Sequence, residues 1–406
     1  MNIPLSEELK DFGTYRMITY TMEISKGAAG TTFYYQWKKG GSPEELGKQW
    51  RGGVSLHSHT WHSHEGLAFL PGAIQKLYFL PVLLRWAESR YERKWKRRFD
   101  YSQGYWTSPV APGMARALEA RQIEKLGLAP LVSLTDHDSL DASADLPDHP
   151  ASLEWTAPYK GAIFHIGIHN LPYEEKGAIL ERLKAYTADP VHDSLGTVLG
   201  EIAALPDVLI VFNHPLSDQG RIGFEIHESR VKEFLARHRA SIHALEVNAL
   251  QPWNMNRRVA NMADDARLPV VSGGDRHSFE PNGAINLTHA KSFAEFVREI
   301  REEKRSAVLF MPQTHRSLNL RYAENVRAVM DDYPELPGRQ FWYDRVFYKC
   351  PDGVTRSFTE LIGHHSYVLD VMDMALGALG VATVAARPLT PVFAESNRKI
   401  SVSPEQ

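Results

Sequence analysis

The 406-residue sequence predicts an α/β fold built on a parallel sheet or barrel, and two features predict it. Short β-branched runs alternate with segments whose apolar spacing suits amphipathic helices. The runs are nearly continuous in apolar residues, as from Val208 to Phe212, which suits strands buried on both faces. A content of 43% hydrophobic and 23% charged residues is that of an ordinary globular protein. The chain is therefore expected to bury one large core.

Six strands and four helices are predicted in the central part of the chain. The predicted strands are Gly53 to His57, Pro130 to Thr135, Ala162 to Gly167, Val208 to Asn213, Ile242 to Asn248 and Pro269 to Gly273. The predicted helices are Ala115 to Leu126, Tyr173 to Tyr186, Val231 to Arg239 and Arg257 to Ala266. His57, His137, His214 and Asp275 come at or just after strand ends, where α/β barrels place their active sites.

The regions around this pattern divide the chain further. Residues 1–50 precede it as an extension in which Thr31 to Trp37 is a predicted strand. Residues 51–311 are expected to form the main domain, and within it residues 66–130 are a long connection between the first two predicted strands, which we call the insertion. We expect the insertion to form a lid over the site or an oligomer contact, because connections of that length are commonly functional. Residues 312–406 form a C-terminal appendage.

Charge and cysteine content narrow the possible functions. The net charge of −3 provides no global basic field that would draw the chain to nucleic acid or lipid. Residues 85–98 carry seven Lys or Arg against two Glu, and we interpret them as a solvated surface helix; a lid or a nucleic-acid contact is the alternative. Cys350 is the single cysteine, so any metal site must use imidazole and carboxylate.

Several segments bear on location and on the appendage. The N-terminal residues lack the pattern of a secretory signal, so we expect a cytoplasmic protein. Phe69 to Leu84 and Leu369 to Ala386 are too short or too polar to span a bilayer and are predicted to be buried helices, so no membrane partner is expected. Arg339 to Tyr348 is predicted to be a strand, and His364 and His365 are interpreted as structural or surface residues.

The segment from Leu56 to Gly66 carries four histidines within eight residues. His57 and His59 occupy alternate positions at a strand end, so their side chains point the same way and can converge on one metal ion. The alternative is a histidine-rich turn that arises by chance. His62 could serve as a proton donor or simply be exposed.

A second motif places His137 between Asp136 and Asp138 after a buried strand. Such carboxylates orient a ligand ring or bind metal themselves, and an Asp-capped turn is the alternative. Further along, Glu154 precedes a strand that carries His165, and a carboxylate that bridges two ions permits two-metal catalysis.

The last two motifs follow strands near the end of the main domain. His214 lies between Asn213 and Pro215. Asp275 and His277 stand on either side of Arg276. Like His57 and His59, they occupy alternate positions after a strand, so their side chains can point to the same ion.

In this order, the motifs resemble those of the polymerase and histidinol phosphatase superfamily, the PHP domain, over roughly Gly52 to Leu287. The resemblance implies a distorted seven-stranded β/α barrel of the PHP type, whose mouth holds two to three divalent ions. Glu246 to Asn248 matches a late strand of the family more weakly. Imidazole and carboxylate ligands suit Zn, Mn or Fe.

The resemblance also implies three sets of ligands. The first set is His57, His59, Glu154 and Asp275. The second shares Glu154 and adds His165 and His214. The third is His137, His277 and one residue of the opening loop, either His64, which is favoured, or Glu65.

We therefore expect a metal-dependent phosphoesterase that uses a metal-activated water on a small phosphorylated substrate. Asp275, Arg276 and His277 are the expected catalytic residues, with Arg276 contacting the phosphate and Arg257 or Arg258 as alternatives. Three other functions stay open: an amidohydrolase-type hydrolase, a non-catalytic PHP-like metal-binding module, and a nuclease that uses the basic segment.

Overall fold

The computed structural model describes residues 17–22, 31–41, 43–68, 70 and 80–362. The strands of this part are β1 (Met17–Met22), β2 (Thr31–Gly41), β3 (Gly52–Ser55), β4 (Glu65–Gly66), β5 (Gly104–Trp106), β6 (Ala129–Val132), β7 (Ala151–Tyr159), β8 (Ala162–Leu171), β9 (Leu209–Asn213), β10 (Ala244–Asn248), β11 (Val270–Gly273), β12 (Ala284–Thr288), β13 (Ser306–Phe310), β14 (Val346–Lys349) and β15 (Thr355–Ser357). The helices are α1 (Pro43–Gln49), α2 (Leu80–Trp95), α3 (Pro112–Glu124), α4 (Asp141–Asp145), α5 (Lys176–Ala188), α6 (Leu195–Ala203), α7 (Phe224–His238), α8 (Trp253–Ala266), α9 (Phe293–Arg301), α10 (Leu318–Met330) and α11 (Phe358–Ile362).

A six-stranded sheet has the order β1-β2-β13-β12-β3-β6. The strands β3 and β6 run parallel, with Val54 opposite Leu131, whereas β12 lies antiparallel to β3. The N-terminal extension joins this sheet, because β2 pairs in parallel with β13. This pairing confirms the strand predicted from Thr31 onwards.

A five-stranded sheet has the order β11-β10-β9-β8-β7. Its strands β9, β10 and β11 are parallel, but β7 and β8 form an antiparallel hairpin. Lys160 and Gly161 form the two-residue turn of this hairpin, with φ angles of 48° and 85°. Such a turn suits two positive φ angles because its twist matches that of the strands. The five-stranded sheet is therefore mixed, with parallel strands at one side and an antiparallel hairpin at the other.

Two isolated bridges link these two sheets. Ser58, just after β3, bridges to Arg276, just after β11, and His137, after β6, bridges to Glu154 in β7. Both links lie at the strand ends that carry the histidines. The seven-stranded barrel stays a prediction, and it would close through these two contacts.

The main core lies between the five-stranded sheet and helices α5 to α8. Trp155, Phe164 and Phe212 project from the strands and are at most 1% exposed, and Phe234 of α7 packs against Phe164 and Phe212. Burying a large apolar side chain of this kind stabilises the fold by roughly 1.5–3 kcal/mol. This packing gives the sheet edges a rigid base on which polar side chains can be placed.

A third sheet, of four strands, has the order β15-β14-β5-β4, and we call it the cap sheet. It combines β4 from the main domain, β5 from the insertion, and β14 and β15 from the C-terminal appendage. Glu65 lies opposite Trp106, and Trp106 lies opposite Val346. Arg345 supports the sheet, since it is 1% exposed and donates to the carbonyl oxygens of Arg339 and Asp331.

The remaining predictions have mixed outcomes. The basic segment forms the helix α2 as far as Trp95, and its last three residues lie outside the helix, which ends where Lys96 has a φ of 55°. The predicted strand from Arg339 to Tyr348 is wrong over its first part. There a short helical turn, Trp342–Asp344, precedes β14. His364 and His365, the apolar stretch from Leu369 and most of the one from Phe69 lie outside the described residues. None of the described helices has the length and apolar character to cross a bilayer.

Candidate metal centre

The carboxylate of Glu154 lies at the centre of a ring of five histidines. Its Oε1 is 3.1 Å from His57 Nε2 and 3.3 Å from both His165 Nδ1 and His214 Nε2. Its Oε2 is 3.4 Å from His59 Nε2 and 3.3 Å from His137 Nε2. Glu154 is fully buried, so both of its oxygen atoms are committed to this space.

Strand ends deliver these side chains in a particular backbone conformation. His57, His214 and Asp275 follow β3, β9 and β11, with φ angles of 62°, 26° and 49°. Positive φ is uncommon for residues other than glycine and costs about 1–3 kcal/mol each, so it persists only where the surrounding structure enforces it. Three of the candidate ligands therefore depend on the surrounding structure for their conformation.

Asp275 and His277 complete one side of the cluster. Asp275 Oδ1 lies 3.3 Å from His59 Nε2 and 3.6 Å from His57 Nε2. The His277 ring stacks on that of His59 with centroids 4.2 Å apart. The side chain of Asp275 is 25% exposed, so the centre opens to solvent on its side.

The opening loop contributes Glu65 and not His64. Glu65 Oε1 is 3.0 Å from His277 Nε2, and its Oε2 is 3.4 Å from His137 Nε2. His64 is exposed and its ring stacks on Tyr105 at 4.0 Å. The structure therefore favours Glu65 over His64, because successive residues of an extended segment point to opposite faces and His64 directly precedes β4.

Three overlapping groups of these residues have ligand atoms within 4.8 Å of one another. They are His57, His59, Glu154 and Asp275; His137, Glu154 and His165; and His59, Glu65, His137 and His277. The first group is the first predicted set. The second differs from the predicted set, because it pairs His165 with His137, while His214 contacts the same Glu154 oxygen.

Among the described residues, the nitrogen and oxygen atoms that face one another in the cluster are mostly not hydrogen-bonded, which is the state expected of metal ligands. The atoms His57 Nε2, His59 Nε2, His165 Nδ1, His214 Nε2, His277 Nε2 and Glu154 Oε2 are buried and have no hydrogen-bond partner within the described chain. A buried polar atom without a partner is costly, and imidazole and carboxylate together are the donors preferred by Zn, Mn and Fe. The cluster can therefore bind divalent metal ions.

The electrostatics of the cluster are consistent with a cation site. Burial alone would raise the pKa of Glu154, but the charges of His57, His165 and His137 hold it well below its usual value. Burial would lower the pKa of His137, yet Glu65 and Glu154 raise it to about 10. The carboxylates thus attract positive charge to the imidazole nitrogens, and protons and metal ions compete for the same atoms.

Glu246 is a site residue that the sequence did not single out as functional. It is 1% exposed on β10, and its Oε2 lies 2.6 Å from His57 Nδ1, the nitrogen that does not face Glu154. Asn248 donates to its other oxygen. Such a carboxylate fixes the orientation and basicity of a metal-binding histidine. The available signal was a glutamate within the apolar run from Ala244 to Val247.

The two carboxylates beside His137 organise the loops. Asp136 accepts hydrogen bonds from the backbone N–H and the hydroxyl of Thr60, and burial raises its pKa to about 6. Asp138 accepts from the backbone N–H of Thr156. Neither carboxylate belongs to a group of candidate ligands. Their hydrogen bonds to loop residues fit an orienting or capping role and not metal binding.

Arg276 is buried beneath the centre. It is 3% exposed, and its Nε donates to Glu119 Oε1 at 2.8 Å. Its carbonyl oxygen accepts from the N–H of His59, which ties the two ligand loops together. Contact with a substrate phosphate is therefore not supported by its position, since the side chain is enclosed and paired.

The other candidate polar residues lie apart from the cluster. Arg257 and Arg258 are exposed on α8, and Arg258 pairs with Glu228. His62 lies 2.9 Å from Asp145 and belongs to no candidate ligand group. Within the described part of the chain none of the three belongs to a candidate ligand group or pairs with a residue of the cluster, so the geometry gives them no role in binding or proton transfer.

Trp106 of the cap sheet forms part of the rim. Its indole centroid is 5.5 Å from the His277 ring, and the residue is half-buried. Because Trp106 pairs with Glu65 across the strands, both side chains share the face of the cap sheet that meets the cluster. A residue of the insertion therefore borders the exposed side of the centre.

Comparisons with known proteins return only distant structural similarity. No family model matches the chain, and no curated protein matches it in sequence. PsfC of Pseudomonas syringae is 14% identical with a TM-score of 0.37, over 65% of this chain and 93% of its own. A protein of Bifidobacterium adolescentis assigned as a metal-dependent phosphoesterase is 17% identical with a TM-score of 0.28, over 48% and 91%.

An amidohydrolase of Chromobacterium violaceum, solved with bound sulfate and no metal, is 15% identical with a TM-score of 0.32, over 42% of this chain and 84% of its own. Values this low identify no family. Any functional assignment therefore depends on the residues of the centre.

Proposed function

We propose that this chain is a metal-dependent hydrolase of phosphoesters. The observation that carries the proposal is the convergence of six imidazoles and three carboxylates on one buried space, with Glu154 at its centre. Divalent ions held there would lower the pKa of a bound water and neutralise charge that develops on a phosphoryl oxygen. The predicted order of PHP-type motifs supports the same assignment.

The residues of the chain would divide the work. Glu154 offers one oxygen to each half of the histidine ring, so it would hold two ions close together. Asp275, the most exposed of the carboxylates, would face the substrate side. Ser63 is fully buried and donates to Glu65, so this neighbouring hydroxyl is not free to act as a nucleophile. Hydrolysis would therefore proceed by attack of water.

Metal analysis and a substrate panel test the proposal together. Protein purified without a metal-affinity tag would be compared with Glu154→Gln, which removes the central charge at nearly constant size. Glu225→Gln, an exposed glutamate of α7, is the matched control. We expect two to three equivalents of Zn, Mn or Fe in the parent and the control, and a loss in Glu154→Gln.

The substrate panel would contain p-nitrophenyl phosphate, bis(p-nitrophenyl) phosphate and p-nitrophenyl acetate. Phosphoester turnover that falls at least about a thousandfold in Glu154→Gln would support the proposal, because two ions would lose their shared ligand. Turnover of the acetate alone would favour an amidohydrolase-type enzyme. Bound metal without any turnover would favour a binding module.

A further inference from the structure

Helix α2 and the three residues that follow it present an unusually basic exposed surface. Arg85, Arg90, Arg93 and Lys94 lie on α2, and Lys96, Arg97 and Arg98 come directly after its end at Trp95. All seven are exposed, and we call them the basic face. The same stretch has only two glutamates, in a chain whose net charge is −3. A local excess of positive charge in an otherwise acidic chain is a candidate binding surface for a polyanion.

The basic face is not balanced by carboxylates within the described part of the chain. Glu88 accepts a hydrogen bond from the Tyr101 hydroxyl at 2.5 Å, and the ion pairs of the described chain include none of the seven basic side chains. An ordinary charged helix surface pairs opposite charges at i,i+4 positions, as Glu228 and Lys232 do on α7. The basic face therefore keeps its charge available for a ligand.

The C-terminal half of α2 packs against the cap sheet. Tyr91 is 7% exposed and packs on Tyr348 of β14, with centroids 5.0 Å apart, and Arg356 of β15 lies over the Trp95 ring. A helix that binds a bilayer surface needs its apolar side free to enter the lipid. This half of the helix has its aromatic side chains packed on protein, which favours a soluble polyanion as the ligand.

The helix lies on the same face of the cap sheet as the metal centre. Tyr348 and Val346 project from one face of β14, and Val346 lies opposite Trp106, which lies opposite Glu65. Two residues along a strand span about 7 Å, so the contact of α2 with the sheet is only a short distance from the rim. A chain bound along α2 could therefore reach the centre.

Aromatic side chains accompany the basic residues. Trp86 is half-buried, and Arg90 lies 5.6 Å from the centroid of its ring. Trp106 adds a further indole at the rim. Basic side chains that contact phosphates, together with aromatic rings that stack on bases, are the pattern of surfaces that bind single-stranded nucleic acid.

We propose that the basic face of α2 binds single-stranded nucleic acid and presents its phosphodiesters to the metal centre. This proposal rests on the proposed hydrolase function for its catalytic consequence, but the binding itself does not require turnover. It assigns the insertion as the element that selects a polymeric substrate.

Fluorescence anisotropy with a 5′-labelled 20-nucleotide oligothymidylate tests it. The variant Arg90→Gln, Arg93→Gln, Lys94→Gln removes three charges from neighbouring positions of one helix face. The control Lys125→Gln, Arg257→Gln, Lys291→Gln removes three exposed charges from elsewhere. Binding would be measured between 50 and 300 mM NaCl, with recovery of intact oligonucleotide checked on a denaturing gel.

We expect the parent and the control to bind, with affinity that falls steeply as salt rises. The α2 variant should bind at least about tenfold more weakly, and its log–log salt slope should be shallower by about 2, since each phosphate contact contributes roughly 0.7. No binding by the parent at 50 mM NaCl, or equal weakening in both variants, would overturn the proposal. So would α2-dependent binding to phosphatidylserine vesicles without binding to the oligonucleotide.

Hydrolysis of p-nitrophenyl phosphate separates this proposal from the preceding one. This small ester should be turned over equally by the parent and the α2 variant, because it needs only the metal centre. Lost oligonucleotide binding with unchanged ester turnover supports the basic face. Oligonucleotide binding without turnover of any phosphoester would support the proposed binding surface and contradict the proposed hydrolase function.

Discussion

Glu246 Oε2 lies 2.6 Å from Nδ1 of His57, whose Nε2 faces Glu154 at 3.1 Å. One imidazole is thus held between a carboxylate that orients it and a carboxylate of the metal centre. We expect Glu246→Gln to weaken metal binding by about 10–100-fold, as loss of such an orienting carboxylate typically does. Competition with a chromophoric chelator would measure this change.

The exposed Glu225→Gln is the control for this experiment, because it removes a carboxylate that belongs to no group of candidate ligands. Equal metal affinity in Glu246→Gln and in the parent would show that the contact with His57 has no role in metal binding.

Gly273 provides the space that the Glu246 carboxylate occupies. A Cβ atom added at Gly273 would overlap that carboxylate, whereas one added at Gly177 on α5 would meet no atom within 4 Å. We expect Gly273→Ala to displace Glu246 and to lower both metal content and thermal stability. Gly177→Ala should leave both at or above the parent level, because alanine favours a helix. Calorimetry and elemental analysis on the two variants would decide this.

The opening loop allows a direct test of ligand choice. Glu65→Ala should remove about one equivalent of bound metal, since Glu65 belongs to the group with His59, His137 and His277. His64→Ala should keep the full content, because His64 stacks on Tyr105 and is exposed. Elemental analysis of both variants is the measurement. The reverse result would show that the loop rearranges when metal binds.

His243 should make the stability depend on pH. Burial, with the charges of Arg301 and Lys304, lowers its pKa to about 3, and its Nδ1 accepts a hydrogen bond from the Ile210 N–H. His243 is protonated near pH 6.5 in the unfolded chain but only near pH 3 in the folded chain. The neutral form of His243 therefore contributes its full amount to the free energy of unfolding above pH 6.5, and this contribution is lost as the pH falls towards 3.

His243→Asn keeps an acceptor for the Ile210 N–H but cannot be protonated. Between pH 6.5 and 4 the free energy of unfolding should fall less steeply in this variant, by about 1.4 kcal/mol per pH unit. Urea unfolding across this range would measure the slopes, with the exposed His289→Asn as control. Parallel curves for the parent and His243→Asn would contradict the assignment.

The sequence located most of the centre because strand ends are local features. His57, His214 and Asp275 could be placed from apolar runs followed by polar residues, and the structure brings their side chains together. Glu65 could not be chosen over His64, since the two-residue strand β4 exists only through pairing with β5. That choice depends on a long-range contact and not on local propensity.

Arg276 and Glu246 show the opposite difficulty. An arginine between two ligands suggested substrate contact, yet it pairs with Glu119, 157 residues earlier in the chain. A glutamate inside an apolar strand gave no indication that it would meet His57, 189 positions away. Burial and partners decide such roles, and neither is encoded by spacing alone.

The strands of the cap sheet come from distant parts of the chain, so the metal centre should be completed in a fixed order during translation. Glu65 emerges from the ribosome early, but β5, its partner strand, is held by β14, which begins at Val346. Most of the histidine ring lies between these points and can assemble before the appendage is translated. A nascent chain that ends before Val346 should therefore acquire metal at the Glu154 ring first, and complete the Glu65 group only when the last strands are added.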